Sequence, residues 1–261
     1  MSDRLPRVIL SLPKDDGHHL AYARRAGRVP KSGPGVVWLG GFKSDMTGTK
    51  ACALDAWAEV HDHAFVRFDY FGHGVSSGNF REGTVTRWRD DCLAVLDRLT
   101  EGPQILVGSS MGGHLALLTA LARPERVAGL LLIAPAADFT EALLWNTYPQ
   151  DVQRRIMEQG EYLWPSLYDP DPYPVTRTLI EDGRKHLLLD RPVPLACPIR
   201  ILQGMADPDV PWEHALRLME RLGPDTQLTL IKDGDHRLSK PHEIAAILRV
   251  LESMSPAEQS C

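Results

Sequence analysis

Cysteine is scarce in this sequence, and its four residues are far apart, at positions 52, 92, 197 and 261. No Cys-x-x-Cys pair is present, which excludes the common ligand spacing of a structural zinc site. A chain of 261 residues with so few cysteines also does not resemble the disulfide framework of a small secreted domain. We therefore expect reduced, mostly buried thiols and no metal.

Long apolar runs and an excess of positive charge are also missing. No segment approaches the roughly 18 consecutive apolar residues that span a bilayer, so no stable membrane insertion is expected. Lysine and arginine number 29 against 34 acidic residues, for a formal net charge of -5. Because nucleic-acid binding depends on a broad positive field, we expect no nucleic-acid partner.

The first ten residues contain no signal peptide, and a cytoplasmic location is expected.

What the sequence does contain is an alternation of short β-rich runs and longer helical patterns. This rhythm predicts an α/β fold with a mostly parallel sheet, helices on both faces and an antiparallel N-terminal edge. The predicted strands are Val8 to Leu12, His19 to Arg25, Val36 to Leu39, Ala64 to Phe68, Gln104 to Val107, Val127 to Ile133, Ile199 to Gln203 and Gln227 to Ile231. The predicted helices of this series are Thr49 to Val60, Thr84 to Leu99, Met111 to Ala122, Trp212 to Leu222 and Pro241 to Glu252.

The alternation breaks over residues 139–198, which are rich in proline, tyrosine and tryptophan. We interpret this segment as a small lid, with helices over 151–159 and 175–189, inserted into one α/β core made of residues 1–138 and 199–261. Its aromatic side chains offer apolar surface for an acyl or aromatic group, and Trp145, Tyr162 and Trp164 are the candidate substrate contacts. The alternative is that these aromatics only pack the lid onto the core.

The pattern Gly-x-Ser-x-Gly, typical of a nucleophilic serine on a strand-to-helix turn, occurs twice, around Ser76 and around Ser110. Ser110 follows a predicted strand and precedes the helix that begins at Met111. The residues after Ser76 do not begin a helix, so Ser76 is interpreted as a loop residue. Ser110 is therefore the predicted nucleophile, with a helix N-cap as the alternative role.

A serine hydroxyl needs a histidine to take its proton and an acid to orient that histidine. In enzymes with this motif the chain order is serine, acid, histidine. Of the ten histidines, His236 alone follows a late strand and comes after both other members. Asp207 follows the preceding strand and is the predicted acid. The rival acids are Asp209, Asp235 and, after an earlier strand, Asp138.

Acyl transfer also needs backbone N–H donors for the oxyanion of the transition state. Met111, directly after the nucleophile, is expected to supply one. The other is expected from Phe42, because the segment Gly40-Gly-Phe-Lys-Ser44 follows a central strand and its glycines allow the chain to fold back.

With these residues in place, the chain resembles the α/β-hydrolase superfamily over nearly its whole length. The closer resemblance is to the subgroup that contains the palmitoyl-protein thioesterase and acyl-glucuronide esterase. The stretches that carry it are Arg67 to Tyr70, Gly72 to Gly74, Gly102 to Gly113, Ala122 to Glu125, Cys197 to Arg200, Gly204 to Trp212 and Asp235 to Arg237. By that resemblance Ser110, Asp207 and His236 match the triad positions of the subgroup.

The sequence thus predicts a serine hydrolase that cleaves acyl thioesters or carboxylic esters, with a small-molecule or acylated-protein substrate and no cofactor. A general carboxylesterase or lipase would use the same triad. Two further readings are a non-catalytic ligand-binding protein on the same fold and a peptidase. Because no extra domain restricts access to the site, peptide hydrolysis is disfavoured.

Overall fold

The computed structural model describes residues 9–27, 33–165 and 170–255. Val8, at the start of the first predicted strand, lies outside these ranges, as do Tyr168 of the lid and the tail beyond Ser255.

Within the described ranges the chain forms ten strands and seven α-helices. The strands are β1 Leu10–Pro13, β2 His19–Arg25, β3 Gly35–Leu39, β4 Phe65–Phe68, β5 Gln104–Ser109, β6 Val127–Ile133, β7 Glu161–Trp164, β8 Tyr173–Thr176, β9 Ile199–Gly204 and β10 Thr226–Ile231. The helices are α1 Thr49–Val60, α2 Val85–Leu99, α3 Met111–Ala122, α4 Gln150–Gln159, α5 Arg177–Gly183, α6 Trp212–Met219 and α7 Pro241–Met254.

Eight of the strands form one sheet in the order β1-β2-β4-β3-β5-β6-β9-β10. The pairs β1–β2 and β2–β4 are antiparallel, and the neighbours from β4 to β10 are parallel. This is the predicted α/β-hydrolase fold, a mostly parallel sheet with an antiparallel N-terminal edge. Because parallel strands all point the same way, the loops after β3, β5, β9 and β10 leave the sheet at one edge.

Both faces of this sheet are covered, which explains why the central strands β3 and β6 carry no polar side chain. Successive side chains of β3 point to opposite faces, so Val36 and Trp38 join one core and Val37 and Leu39 the other. Helices α1 and α7 pack on the first face, and α2, α3 and α6 pack on the second.

Residues 139–198 match the prediction in one helix, since α4 contains the helix predicted over 151–159, and differ from it elsewhere. A π-helical turn, Thr140–Leu144, precedes α4, and an antiparallel hairpin of β7 and β8 follows it. The helix predicted over 175–189 begins later and is shorter, because Val175 and Thr176 belong to β8. The Thr176 side chain caps α5 by accepting the N–H of Leu179 at 3.1 Å.

The insertion has a small apolar core of its own, formed by Tyr148, Ile156, Val175 and Ile180. In the part of the chain that the structure describes, no helix is long and apolar enough to cross a membrane.

The backbone of α3 lies unusually close to the end of β3. A Cβ atom on Gly112 would lie 2.1 Å from the carbonyl oxygen of Leu39 and 2.5 Å from that of Gly40. Neither atom can rotate away, since both belong to the backbone. Any side chain at position 112 therefore forces the helix off the sheet.

We expect Gly112→Ala to lower the free energy of unfolding by at least about 2 kcal/mol, because the added methyl overlaps backbone on both sides. Urea denaturation followed by circular dichroism measures this change. The matched control is Gly48→Ala, whose new Cβ meets nothing closer than the Asp45 carbonyl oxygen at 3.8 Å. An equal loss in both variants would show that the close approach is not the cause.

Candidate active site

Ser110 occupies a strained backbone conformation on the turn between β5 and α3. Its φ of 55° and ψ of -121° lie outside the usual regions for a residue with a side chain. Three hydrogen bonds hold this conformation: Ser110 N–H donates to the Ile133 carbonyl at 3.0 Å, and the N–H groups of Gly113 and Ala136 donate to the Ser110 carbonyl. The turn directs the hydroxyl away from the helix that follows.

The helix-cap role considered for Ser110 receives no support from its contacts. Ser110 is at the N-cap position of α3, yet its side chain makes no capping hydrogen bond. Its Oγ instead lies 3.0 Å from Nε2 of His236, a residue 126 positions later in the chain. The hydroxyl is thus engaged in a side-chain pair and not in helix capping.

His236 lies in the loop between β10 and α7, and it links Ser110 to Asp207. Its Nδ1 is 2.8 Å from Oδ2 of Asp207, in the loop between β9 and α6. A carboxylate at this position accepts the Nδ1–H, which leaves Nε2 free to accept the proton of the serine hydroxyl. The structure therefore brings the three predicted triad residues into one hydrogen-bonded chain.

The Asp207 carboxylate is fully buried and held in one orientation by several donors. Its Oδ1 accepts the backbone N–H groups of Asp209 and Val210, each at 2.9 Å, and its Oδ2 accepts Nε2 of Gln203 at 3.0 Å. Bonds of this kind to a carboxylate are stronger than those between neutral groups. These hydrogen bonds hold the Asp207 carboxylate in the orientation in which it accepts the Nδ1–H of His236.

Gln203, which supports Asp207, was not identified from the sequence. It is fully buried at the end of β9, and its Nε2 also donates to the carbonyl of Val210 at 2.9 Å. The available signal was a polar residue directly after the apolar pair Ile201 and Leu202, four positions before the acid.

The rival acids have other contacts in the structure. Asp138 is buried and accepts the N–H groups of Leu188 and Leu189 at 2.8 and 2.9 Å, so it fastens the far end of the insertion to the core. Burial raises the pKa of this carboxyl group. Asp235 accepts the N–H groups of Arg237 and Leu238 and so shapes the turn that carries His236.

The predicted oxyanion donors belong to two segments that meet at Ser110. Met111 is the first residue of α3. Residues 40–44, here called the oxyanion loop, follow β3, and a Cβ on Gly41 would lie 3.4 Å from the Ser110 Cβ. Phe42 is the next residue, so both predicted donors come from chain segments adjacent to the nucleophile.

Ser76, in the second Gly-x-Ser-x-Gly motif, makes hydrogen bonds that hold the fold together. Its hydroxyl donates to the carbonyl of Asp69 at 2.6 Å and accepts the N–H of Ala21 at 2.8 Å. These bonds join the loop after β4 to β2. Its proton and lone pair are both used, which agrees with the interpretation of Ser76 as a loop residue.

The aromatic residues proposed as substrate contacts pack mainly among residues 139–198. Trp145 and Tyr162 pack against the small core of this insertion, and Trp164 contacts Tyr148 with a centroid distance of 4.7 Å while remaining 38% exposed. Tyr173, on β8, reaches further inward: its ring centroid is 6.0 Å from that of Phe42. Tyr173 belongs to the same aromatic-rich segment, but it is not among the candidates selected from the sequence.

Phe42 is the centre of an apolar cluster beside the nucleophile. Its ring also contacts those of Phe80, Trp88 and Phe139 at centroid distances of 4.9 to 5.8 Å. The cluster joins the oxyanion loop, α2 and the start of the insertion, and it supplies a surface suited to an apolar group.

Among the residues that the structure describes, one group of acidic and histidine side chains is close enough to hold a metal ion. It consists of Asp207, Asp209 and His236, whose possible ligand atoms lie within 4.8 Å of one another. Both ring nitrogens of His236 are already in hydrogen bonds to Asp207 and Ser110. A metal on either nitrogen would break one of these bonds.

Comparison with known proteins agrees with this fold. The profile of the alpha/beta hydrolase family matches residues 15–247. The mitochondrial palmitoyl-protein thioesterase ABHD10 of Mus musculus is 41% identical over 238 residues, covering 90% of this chain and 78% of the relative. The human protein of the same name is 38% identical over 245 residues, covering 93% and 78%.

Solved structures show the same relationship. A protein of Agrobacterium vitis S4 superposes with a TM-score of 0.91 at 42% identity, covering 97% of this chain and 100% of that one. The alpha/beta hydrolase domain-containing protein 10 from mouse superposes with a TM-score of 0.86 at 39% identity, covering 95% and 98%.

The chain belongs to the alpha/beta hydrolase family. It is a hydrolase, and the sequence-based prediction of ester or thioester hydrolysis is confirmed at the level of this family. The predicted cytoplasmic location is wrong by this comparison, because the relatives of Mus musculus and Homo sapiens are named mitochondrial enzymes. That prediction rested on the first ten residues, whose composition does not decide location.

We expect Asp207→Asn to lower kcat by about 10⁴-fold, because an amide no longer holds the imidazole in the tautomer that accepts the serine proton. Steady-state hydrolysis of p-nitrophenyl acetate measures the change.

The control is Asp209→Asn, which alters an exposed carboxylate beside the same histidine and keeps the backbone N–H that Asp207 accepts. We expect it to lower kcat by less than about tenfold, since exposed charges contribute little. A larger effect at Asp209 than at Asp207 would reverse the assignment of the acid.

Proposed function

We propose that this protein is a serine hydrolase that cleaves acyl thioesters or carboxylic esters through an acyl-enzyme on Ser110. The observation that carries the proposal is the chain of two hydrogen bonds, 3.0 Å from Ser110 Oγ to His236 Nε2 and 2.8 Å from His236 Nδ1 to Asp207 Oδ2. This arrangement provides a nucleophile, a general base and an orienting acid at one strand edge.

In the acylation step, His236 Nε2 takes the hydroxyl proton as Ser110 Oγ forms a bond to the acyl carbon. The carbonyl oxygen becomes an oxyanion and accepts the N–H groups of Phe42 and Met111. As the tetrahedral species collapses, the bond to the leaving group breaks and the imidazolium proton passes to the departing alcohol or thiol. Asp207 stabilises the imidazolium between these events.

In the deacylation step, a water molecule replaces the leaving group. His236 takes one proton from the water as the oxygen attacks the acyl carbon, and the same backbone donors hold the second oxyanion. Collapse breaks the bond to Ser110 Oγ, which regains its proton from His236. The carboxylic acid is released, and the cycle needs no metal and no cofactor.

The substrate class follows from the apolar surface beside the nucleophile and from the relatives. The ring of Phe42, in the oxyanion loop, contacts the rings of three other aromatic residues, Phe80, Phe139 and Tyr173. The relatives at 38% to 41% identity are named palmitoyl-protein thioesterases. We therefore propose a long-chain acyl thioester, on a protein or a small molecule, as the preferred substrate.

A general carboxylesterase is the alternative, because the triad treats the carbonyl of an ester in the same way. Relative kcat/KM on a palmitoyl thioester, a short-chain aryl ester and an acyl glucuronide separates the two. Preference for the short ester over the palmitoyl thioester would favour the alternative.

We expect Ser110→Ala to abolish both ester hydrolysis and covalent labelling by a fluorophosphonate probe, because the variant has no nucleophilic oxygen on the turn. In-gel fluorescence of the labelled protein measures this directly.

The matched control is Ser76→Ala, which changes the serine of the second motif. It loses two hydrogen bonds and about 1 to 3 kcal/mol of stability, but it keeps the label. Labelling that persists in Ser110→Ala and disappears in Ser76→Ala would overturn the proposal.

We expect Tyr173→Ala to lower kcat/KM about tenfold for a palmitoyl substrate and less for an acetyl one, because it removes apolar surface next to Phe42. The control is Trp164→Ala. Trp164 is the partner of Tyr173 across the hairpin and contacts Tyr148 and Tyr162. An equal effect of both substitutions at every chain length would indicate a general disturbance of the hairpin.

A further inference from the structure

Three hydrogen bonds attach the oxyanion loop and Met46, two residues beyond it, to the segment that follows β4. The Tyr70 hydroxyl donates to the carbonyl of Gly40 at 3.2 Å, and Oδ1 of Asp69 accepts the N–H of Met46 at 2.7 Å. Between these two, Nε2 of His73 lies 3.2 Å from the backbone nitrogen of Lys43. The third contact is made by a titratable side chain that the proposed cycle does not use.

The hydrogen-bond partners of His73 determine its protonation. Its Nδ1 lies 3.1 Å from the carbonyl oxygen of Phe71, so Nδ1 carries a proton and donates. Nε2 faces a backbone N–H, so Nε2 accepts. Only the neutral imidazole with its proton on Nδ1 satisfies both contacts.

The surroundings of His73 favour this neutral form. The side chain is buried, and its ring contacts the rings of Tyr70, Phe80 and Trp88 at centroid distances of 4.9 to 5.4 Å. Burial lowers the pKa of His73 to about 4. At neutral pH the ring therefore accepts a hydrogen bond from the backbone N–H of Lys43.

Lys43 needs such an anchor because its backbone is strained. Its φ is 60°, in the left-handed region that a residue with a long side chain rarely adopts. Strained residues of this kind persist where the surrounding contacts over-determine them. Lys43 directly follows Phe42, so the torsion of Lys43 sets the path of the chain that presents the Phe42 N–H.

We propose that His73 is a positioning residue for the oxyanion hole: as a neutral acceptor of the Lys43 N–H, it holds the oxyanion loop so that Phe42 presents its N–H beside Ser110. The inference rests on the proposed function, since it assigns a role in the same acyl transfer. His73 touches neither the substrate nor the triad and acts through the loop.

This role affects kcat more than KM. The oxyanion forms only in the transition state, so a misplaced donor weakens the transition state and leaves substrate binding almost unchanged. A histidine that served only to fill the core would instead change stability.

The experiment compares His73→Leu, which removes the acceptor and keeps an apolar side chain, with His73→Gln, whose Oε1 can replace Nε2. We expect His73→Leu to lower kcat on p-nitrophenyl acetate at least about tenfold. Removal of an oxyanion donor costs about 10²- to 10³-fold in kcat, and this variant keeps the Phe42 donor but removes the contact that positions it, so the expected loss is smaller. KM stays within about threefold, and His73→Gln recovers most of kcat.

The matched control is His63→Leu. His63 is also buried, stacks on Trp57 and lies 3.3 Å from the carbonyl of Pro34, on the other face of the sheet. This variant should keep the kcat of the original protein. Circular dichroism and the free energy of unfolding in urea report whether each variant is folded.

A measurement on the unchanged protein covers the case in which His73→Leu does not fold. In ¹⁵N-labelled protein at neutral pH, we expect a scalar coupling across the hydrogen bond between the Lys43 amide nitrogen and His73 Nε2. Absence of this coupling in a well-resolved spectrum would show that His73 is not the acceptor and would overturn the inference.

The kinetic outcomes separate this inference from the proposed function. If folded His73→Leu retains kcat, or if His73→Gln is no better than His73→Leu, the positioning role is wrong while Ser110 remains the labelled nucleophile. If the unchanged protein neither labels at Ser110 nor hydrolyses any ester or thioester, the proposed function fails first.

Discussion

The rest of the site depends on one constraint, the close approach of backbone to backbone where β5 turns into α3. Glycine at position 112 allows α3 to lie against the carbonyl oxygens at the end of β3. This packing places the strained Ser110 turn, the first N–H of α3 and the oxyanion loop at one point. A side chain at position 112 would separate them. The geometry of the nucleophile is therefore a packing property of three elements and not of the serine alone.

The other half of the site follows from strand order. Strands β9 and β10 are parallel neighbours, so the loops that carry Asp207 and His236 leave the sheet side by side. Hydrogen bonds from Gln203 and from the backbone of residues 209 and 210 then hold the acid rigid against the histidine. Because the base is held at both ring nitrogens, little reorganisation is required when it receives a proton.

The segment after β4 connects the antiparallel edge of the sheet to the catalytic edge. Ser76 ties it to β2, while Asp69, Tyr70 and His73 tie it to the backbone around the oxyanion loop. The second Gly-x-Ser-x-Gly motif thus belongs to a scaffold. Its resemblance to the first motif is confined to the pattern of letters, because α2 begins only at Val85 and not directly after the motif, and because the Ser76 hydroxyl is bonded within the scaffold.

The sequence by itself determined the features of the protein that depend on local residue patterns. Apolar strands, helix periodicity and the strand-turn-helix context of Ser110 predicted a mostly parallel α/β fold and the bounds of α3, and they separated Ser110 from Ser76. Tertiary structure alone decided contacts that no sequence motif joins. These are the support of Asp207 by Gln203, the contact of Tyr173 with Phe42, the bond of His73 to the Lys43 N–H, and the hairpin of β7 and β8 where a longer helix was predicted. The Ser110 and His236 pair could be predicted across the chain because a motif and a fixed chain order mark both residues. The other contacts depend on how strands are ordered and how loops meet, and the residues beside each partner carry no record of it.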